Sequence, residues 1–355
     1  MLLGTLAVAA EDPPFSNMSA GSVAEHSGAA QRCPGTERWG DWPSPVGLTL
    51  GILAALAGQV AVIVYHYARM RWSRVRRVQS EARPYAFGEG VASHLANPGG
   101  ILLMVFYLCA YWLLDLMPCS YYSFAGGVRW WMVFAQICCQ DGLMFLLHYF
   151  EHKGPLGPAF YQKSHKPHHR FVNPRLFDAF DGSVPDTFCM ILVPLATTAQ
   201  LLHANVWEYM LFGSFWSAWL CLIHSEVHHP WDPLFRLLGL GTAADHHVHH
   251  RTFIYNYGHT MMWWDRLAGT YRHPDAVRVF NKSGEAELLG GTDYAPREGT
   301  PSLPPFPLGK PDRLAEAAVY AGMRGEAGKV VVEHAGGGAA PRRREGEQGA
   351  CAHED

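Results

Sequence analysis

Long apolar runs separated by short polar stretches dominate the first two thirds of the chain. Val46 to Tyr67 is interrupted only by Thr49, Gln59 and His66, enough for a helix to cross a bilayer core of about 30 Å. Arg69, Arg71, Arg74, Arg76 and Arg77 follow at once, and the positive-inside rule turns that end to the cytosol and the N-terminus to the lumen. Further runs occupy Ile101 to Met117, Val128 to Tyr149 and Val184 to Ile223. The last divides at His203-Ala204-Asn205 into helices over 184–204 and 206–223, which form either two full spans or a shallow hairpin. Either version keeps the parity, so the polar pieces 148–169 and 224–250 both reach one cytosolic face. The pattern predicts an all-α, multi-span membrane protein.

Composition sharpens this picture in two places. With 49% apolar and 17% charged residues and a net charge of −3, the chain is neither disordered nor basic enough to advertise nucleic acid as a partner. The eight cysteines contain no CxxC pair and several sit in apolar runs, so neither a disulfide framework nor a zinc ribbon is expected. Residues 1–45 read as a flexible lumenal segment, with a sequon at Asn17-Met18-Ser19, and 46–99 as the first span with its basic flank. Residues 100–280 read as the catalytic region. The Gly-, Pro- and charge-rich stretch 281–355 reads as a largely disordered cytosolic tail, with a short helix near 311–323.

Histidine carries the chemistry: 13 of the 20 fall between 148 and 250. They form four clusters, His148/His152 (HxxxH), His165/His168/His169 (HxxHH), His224/His228/His229, and His246/His247/His249/His250, which contains a second HxxHH. On a helix, positions i, i+3 and i+4 share a face, so each cluster can aim two or three imidazoles at one point. One HxxxH alone is more often a capping or interfacial pair than a ligand set. Four clusters at one face are different, because unpaired imidazoles are costly to bury and cationic ones repel. Ten of them, His148, His152, His165, His168, His169, His224, His228, His246, His249 and His250, suffice for two metal ions with about five ligands each. His228 and His229 are not distinguished by spacing, while His203, His259 and His273 read as ordinary polar residues. A metal transporter would want ligands along a path inside the spans, where only His66 and His203 stand, and a bis-His haem protein needs two axial ligands rather than ten.

The order HxxxH, HxxHH, a histidine after a hydrophobic hairpin, then HxxHH resembles the fatty acid hydroxylase and sterol desaturase superfamily of membrane-bound non-haem di-iron oxygenases. The likeness spans roughly residues 100–280. His165-Lys-Pro-His168-His169, Gly241-Thr-Ala, Tyr255-Asn-Tyr-Gly258, Trp264-Asp-Arg-Leu267 and Gly269-Thr-Tyr are most similar to sterol C5-desaturases (lathosterol oxidases). Phe180-Asp181-Gly182 stands where a His-Pro and a carboxylate are expected, and His224-Ser225 with Pro230-Trp231 leans toward sterol C4-methyl oxidases. The resemblance implies two irons, replaceable by zinc, dioxygen as co-substrate, and electrons from NAD(P)H through cytochrome b5 or its reductase. It also implies the endoplasmic reticulum membrane and a sterol or other membrane-lipid substrate, to be desaturated or hydroxylated. Asp141, Glu151, Glu226, Asp245 and Asp265 stand near the boxes and are candidates to orient ligand N–H groups.

Overall fold

The computed structural model describes residues 33–79, 84–154 and 157–274. The expectations for residues 1–32, including the sequon, and for the tail from 281 lie outside them. A two-residue hairpin, β1 (Arg38–Trp39) with β2 (Trp42–Pro43), precedes helix α1 (Val46–Trp72). Then come α2 (Phe87–His94), α3 (Pro98–Leu113), α4 (Trp130–Lys153) and the short α5 (Gly157–Lys163). The next span begins as α6 (Val184–Asp186), widens into a π turn over Thr187–Leu192 and finishes as α7 (Val193–Leu201). Beyond it lie α8 (Val206–Ile223), α9 (Asp232–Leu238), α10 (Ala243–Thr252) and α11 (Trp263–Ala268).

Four helical segments among the described residues, 46–72, 130–153, 184–201 and 206–223, are long and apolar enough to cross a membrane. The run expected from Ile101 to Met117 falls in α3 and the residues just after it, and α3 is preceded by α2, with a 56° bend between the two. The break falls at Asn97-Pro98, where the proline starts α3 and the Asn97 side chain accepts from Gly100 N–H.

Packing follows the logic of lipid rather than water. α1 buries Gly47, Gly51 and Gly58 while Leu53, Leu56, Val60 and Val64 are exposed. Lipid is as apolar as leucine, so close backbone approach, not burial of large side chains, joins spans. A Cβ on Gly58 would lie 2.1 Å from the Ser214 carbonyl oxygen of α8, and one on Gly51 would meet the Tyr209 ring. Ser217 Oγ donates to the Ala55 carbonyl across the same seam, at 2.7 Å. In the sixth and seventh helices, Pro194 has no N–H for the preceding turn and its ring crowds that turn, which accords with the wide π turn just before it.

The two ends of the bundle differ. At one, Trp112 Nε1 donates to Pro43 O, Val206 N to Ser123 O and Gln200 Nε2 to Leu116 O, and the Arg129 guanidinium pairs with the buried Glu208. A disulfide joins Cys33 to Cys119 there, 86 residues apart. A disulfide framework was not expected, and this single bond lies outside that reading: two isolated cysteines meet only through the fold, so no spacing betrays them. At the opposite end, Val78 N–H donates to Glu226 O, His228 N–H to Arg76 O and Tyr85 Oη–H to Asp178. The histidine clusters gather at that end.

Candidate metal centre

Each cluster is delivered by a different local device. His148 and His152 lie one turn apart on the last turns of α4. His165 to His169 do not form the expected regular helix. They occupy a tight turn after α5, in which His168 N–H and His169 N–H both donate to His165 O. His224 caps the C-terminus of α8. His246, His249 and His250 share a face of α10, whose start is set by Thr242 and Asp245 in a reciprocal cap.

These devices bring nine of the ten candidates into two groups. His148, His152, His165, His169 and His249 form one, and His168, His224, His246 and His250 the other; within each, the candidate ligand atoms lie within 4.8 Å of one another. Every member is buried. Both HxxHH boxes are split between the groups, because adjacent side chains diverge: His168 and His169 part company, as do His249 and His250.

The tenth candidate, His228, stands elsewhere. Its Nδ1 faces Asp232 at 3.4 Å and its Nε2 the Arg76 guanidinium at 3.2 Å, and its ring is partly exposed. His229 is held by Tyr65 Oη, at 3.2 Å, and is in neither group. His247 turns away from its neighbours, between Gln79 and the Ser225 carbonyl. His203 bonds to Gln200 O at the disulfide end. His259, which the spacing did not single out, is buried beside both groups, its ring centre 5.1 Å from that of His148 and 5.2 Å from that of His246. Burial pushes His259 down to about 3.

The hydrogen bonds orient the rings. Nδ1 of His148 lies 2.7 Å from Tyr257 O, that of His249 2.7 Å from Tyr255 O, that of His224 2.7 Å from Leu220 O, and that of His168 3.0 Å from Asp181 O. A carbonyl can only accept, so these four rings carry the proton on Nδ1 and present a lone pair at Nε2. Nε2 of His168 and Nε2 of His224 are nevertheless 3.2 Å apart. Two lone pairs face each other there, which a cation between them resolves. The other inward nitrogens repeat the spacing: 3.0 Å for His224 with His246, 3.1 Å for His246 with His250, 3.1 Å for His152 with His169, and 3.0 Å for His169 with His249. Two nitrogens each about 2.1 Å from a common ion and at right angles to one another are about 3.0 Å apart. The donor set therefore fits two first-row transition-metal ions, one per group.

Titration behaviour agrees. Burial, reinforced by neighbouring imidazoles, holds His169, His246 and His250 well below the usual range, so the rings remain neutral donors. His165 is the exception. Burial lowers it, but the charge and hydrogen bond of Asp186 and the charge of Glu151 outweigh that and raise it.

Of the five acidic residues expected to orient ligands, four hold backbone instead. Asp141 accepts from Thr260 N, Met261 N and Trp264 Nε1, and Asp265 from Tyr257 N and Gly258 N. Glu226 accepts from Leu176 N and faces His66, and Asp245 serves the α10 cap. Two of them still act on the site indirectly. They lock the loop 253–262, whose carbonyls at Tyr255 and Tyr257 hold His249 and His148. That loop carries two non-glycine residues in the left-handed region, Phe253 (φ 63°) and Asn256 (φ 54°), and the Asn256 amide is fixed by Asp245 O and Arg272 O. Only Glu151 lies near a ligand ring, 3.7 Å from His165 Nδ1.

Comparison with known proteins accords with this geometry. The family model for fatty acid hydroxylases matches residues 132–270, which contain all nine grouped histidines. An alternative squalene epoxidase of Phaeodactylum tricornutum is 53% identical over 248 residues, covering 68% of this chain and 71% of that protein. A probable Delta(7)-sterol 5(6)-desaturase of Neurospora crassa is 33% identical over 135 residues, and the Delta(7)-sterol 5(6)-desaturase of Candida albicans 32% over 184. The matches span only 35% and 42% of those two desaturases, and 36% and 49% of this chain. No solved structure matches the chain. A membrane-spanning bundle with nine buried imidazoles in two groups, similar over two thirds of its length to such an enzyme, belongs to the fatty acid hydroxylase and sterol desaturase superfamily and is an oxidoreductase.

Proposed function

We propose that the protein is an O2-dependent di-iron epoxidase acting on squalene or a closely related linear triterpene. The observation that carries this reading is the two-group histidine site within a chain 53% identical to an alternative squalene epoxidase. Epoxidation adds one oxygen atom of O2 across a carbon–carbon double bond, while the other leaves as water with two electrons and two protons from a donor. His148, His152, His165, His169 and His249 hold one iron and His168, His224, His246 and His250 the other; zinc, higher in the stability series, can substitute without activity. The bound irons supply dioxygen activation. The chain's own contribution is to keep nine imidazoles aimed and buried next to the bilayer, eight of them held neutral by burial, where a water-insoluble substrate arrives.

The histidine end faces the cytosol and the disulfide end the lumen of the endoplasmic reticulum. Two independent features support this. Arg69 and Arg71 in the last turn of α1, and Arg74, Arg76 and Arg77 just after it, stand at the histidine end, and a persisting Cys33–Cys119 bond belongs on an oxidising side. Electrons then come from NAD(P)H through cytochrome b5 or its reductase. The catalytic region is 100–280.

A second reading, sterol C5-desaturation, is favoured by the stretch Tyr255 to Leu267 and by the Delta(7)-sterol 5(6)-desaturase relatives. Sterol C4-methyl oxidation or another lipid hydroxylation would use the same site. Two yeast strains separate the readings, one lacking its squalene epoxidase and one lacking its sterol C5-desaturase. Rescue of the first, with squalene converted to epoxysqualene and onward to sterol, is expected; rescue of the second alone refutes the epoxidase and supports the desaturase.

A further inference from the structure

The nine grouped imidazoles are not equivalent at their outward nitrogens. Four give Nδ1–H to backbone carbonyls, and Nδ1 of His152, His169, His246 and His250 has no hydrogen bond. His165 alone faces carboxylates. Its Nδ1 is 2.6 Å from Asp186 Oδ1 and 3.7 Å from Glu151 Oε2. Glu151 is buried, and neither of its oxygens has a hydrogen-bond partner.

The local structure is built to hold Asp186 there. Ser183 Oγ accepts from Asp186 N–H at 3.1 Å and donates to Ser164 O, which ties the start of the span to the residue preceding His165. Gly182 leaves the room: a Cβ there would lie 2.5 Å from Asp186 Oδ2. A carboxylate accepting Nδ1–H draws the proton toward itself and makes the opposite nitrogen a stronger electron donor, which a carbonyl does less well.

We propose that Asp186, backed by Glu151, is a positioning residue that makes His165 the strongest donor of the nine and so renders the two metal sites electronically inequivalent. This rests on the metal-binding reading above. It goes further in assigning an asymmetry to the five-histidine site and a role to a residue outside every histidine cluster. Asp186→Asn keeps the side-chain shape and an acceptor oxygen but removes the charge.

The test loads full-length wild-type and variant protein in lipid nanodiscs with 57Fe and measures iron content and Mössbauer spectra. Two irons and two resolvable ferrous doublets are expected for wild type. In Asp186→Asn one doublet shifts and one iron binds about 10- to 100-fold more weakly, while Asp186→Glu restores the wild-type spectrum. A merely structural contact would not move one doublet alone. Two irons with both doublets unchanged in Asp186→Asn overturns this inference and leaves the metal site standing. Wild-type protein that binds no iron overturns both.

Discussion

Replacing His168 by Ala separates a metal ligand from a buried structural histidine, because the two respond differently to a chelator. His168 is one of four imidazoles in its group, with Nε2 3.2 Å from that of His224. Four-ligand zinc sites are worth about 10–16 kcal/mol in apparent binding energy, or about 2.5–4 kcal/mol per ligand. Loss of one ligand then weakens binding by roughly 10²- to 10³-fold. With metal in excess of both dissociation constants, metal-dependent stabilisation falls by the same amount, about 2.5–4 kcal/mol. For a bundle of this size that corresponds to roughly 5–15 °C in Tm. In chelated protein the substitution instead removes one of two facing lone pairs, which offsets the cavity it leaves. An ordinary buried histidine would cost the same with and without metal. The assay is thermal unfolding of detergent-purified protein, metal-loaded and chelated, alongside elemental analysis. His228→Ala is the control, since that ring faces Asp232 and Arg76. A His168→Ala protein that keeps the full metal-dependent shift, or a His228→Ala protein that loses it, refutes the partition into two groups.

Three further outcomes follow from packing and charge. Gly58→Ala places a Cβ 2.1 Å from Ser214 O, whereas Gly88→Ala meets nothing within 4 Å. The first is expected to cost about 1–3 kcal/mol of thermal stability and, because α8 ends in His224, on the order of 10²-fold in turnover; equal behaviour of the two would contradict the α1–α8 seam. Arg129→Met leaves the fully buried Glu208 carboxylate unpaired and is expected to cost about 2–3 kcal/mol, at the low end because Arg129 is partly exposed. Adding Glu208→Gln should recover most of that loss in the same unfolding assay, and no recovery would argue against a charge penalty. Burial pushes His229 and His247 down to about 4 from an ordinary 6.5. Both stay neutral when folded but take up protons when unfolded, so their stabilisation is whole above about pH 6.5 and drains as pH falls toward 4, about 3 kcal/mol per ring. His247→Gln should flatten the acid limb of stability against pH, and an unchanged slope would remove His247 from the account.

The spans were legible because lipid demands long apolar runs, and the clusters because imidazoles at i, i+3 and i+4 share a face whatever the fold. The same signal was partly misleading in mechanism: His165 to His169 achieve their convergence in a turn that runs into a short 3-10 helix, His168–Arg170, rather than on an α-helix. Spacing could not divide nine histidines into two groups, since neighbours such as His168 and His169 are assigned by which distant segment each meets. It included His228 and passed over His259 for the same reason. Asp186 carried no signal at all, being 21 residues from the ring it holds. The bend at Asn97-Pro98 lies before the apolar run, which begins at Ile101, so hydropathy alone reports neither α2 nor the angle at which it meets α3. Cys33 and Cys119 show the limit most plainly, because a single bond between remote residues leaves no periodicity to detect.

That bond also imposes an order on synthesis. Cys33 emerges before α1, but its partner lies beyond α3. The link therefore cannot close until the intervening helices have been made and Cys119 has reached the same side as Cys33. Once closed, it ties a loop of 86 residues, removing on the order of 4–5 kcal/mol of chain freedom from any partly unfolded state. A nascent chain in which α3 has inserted the wrong way round keeps two free thiols on opposite sides of the membrane. Closure of the bond thus reports that Cys33 and Cys119 share one side of the membrane, with an even number of crossings between them.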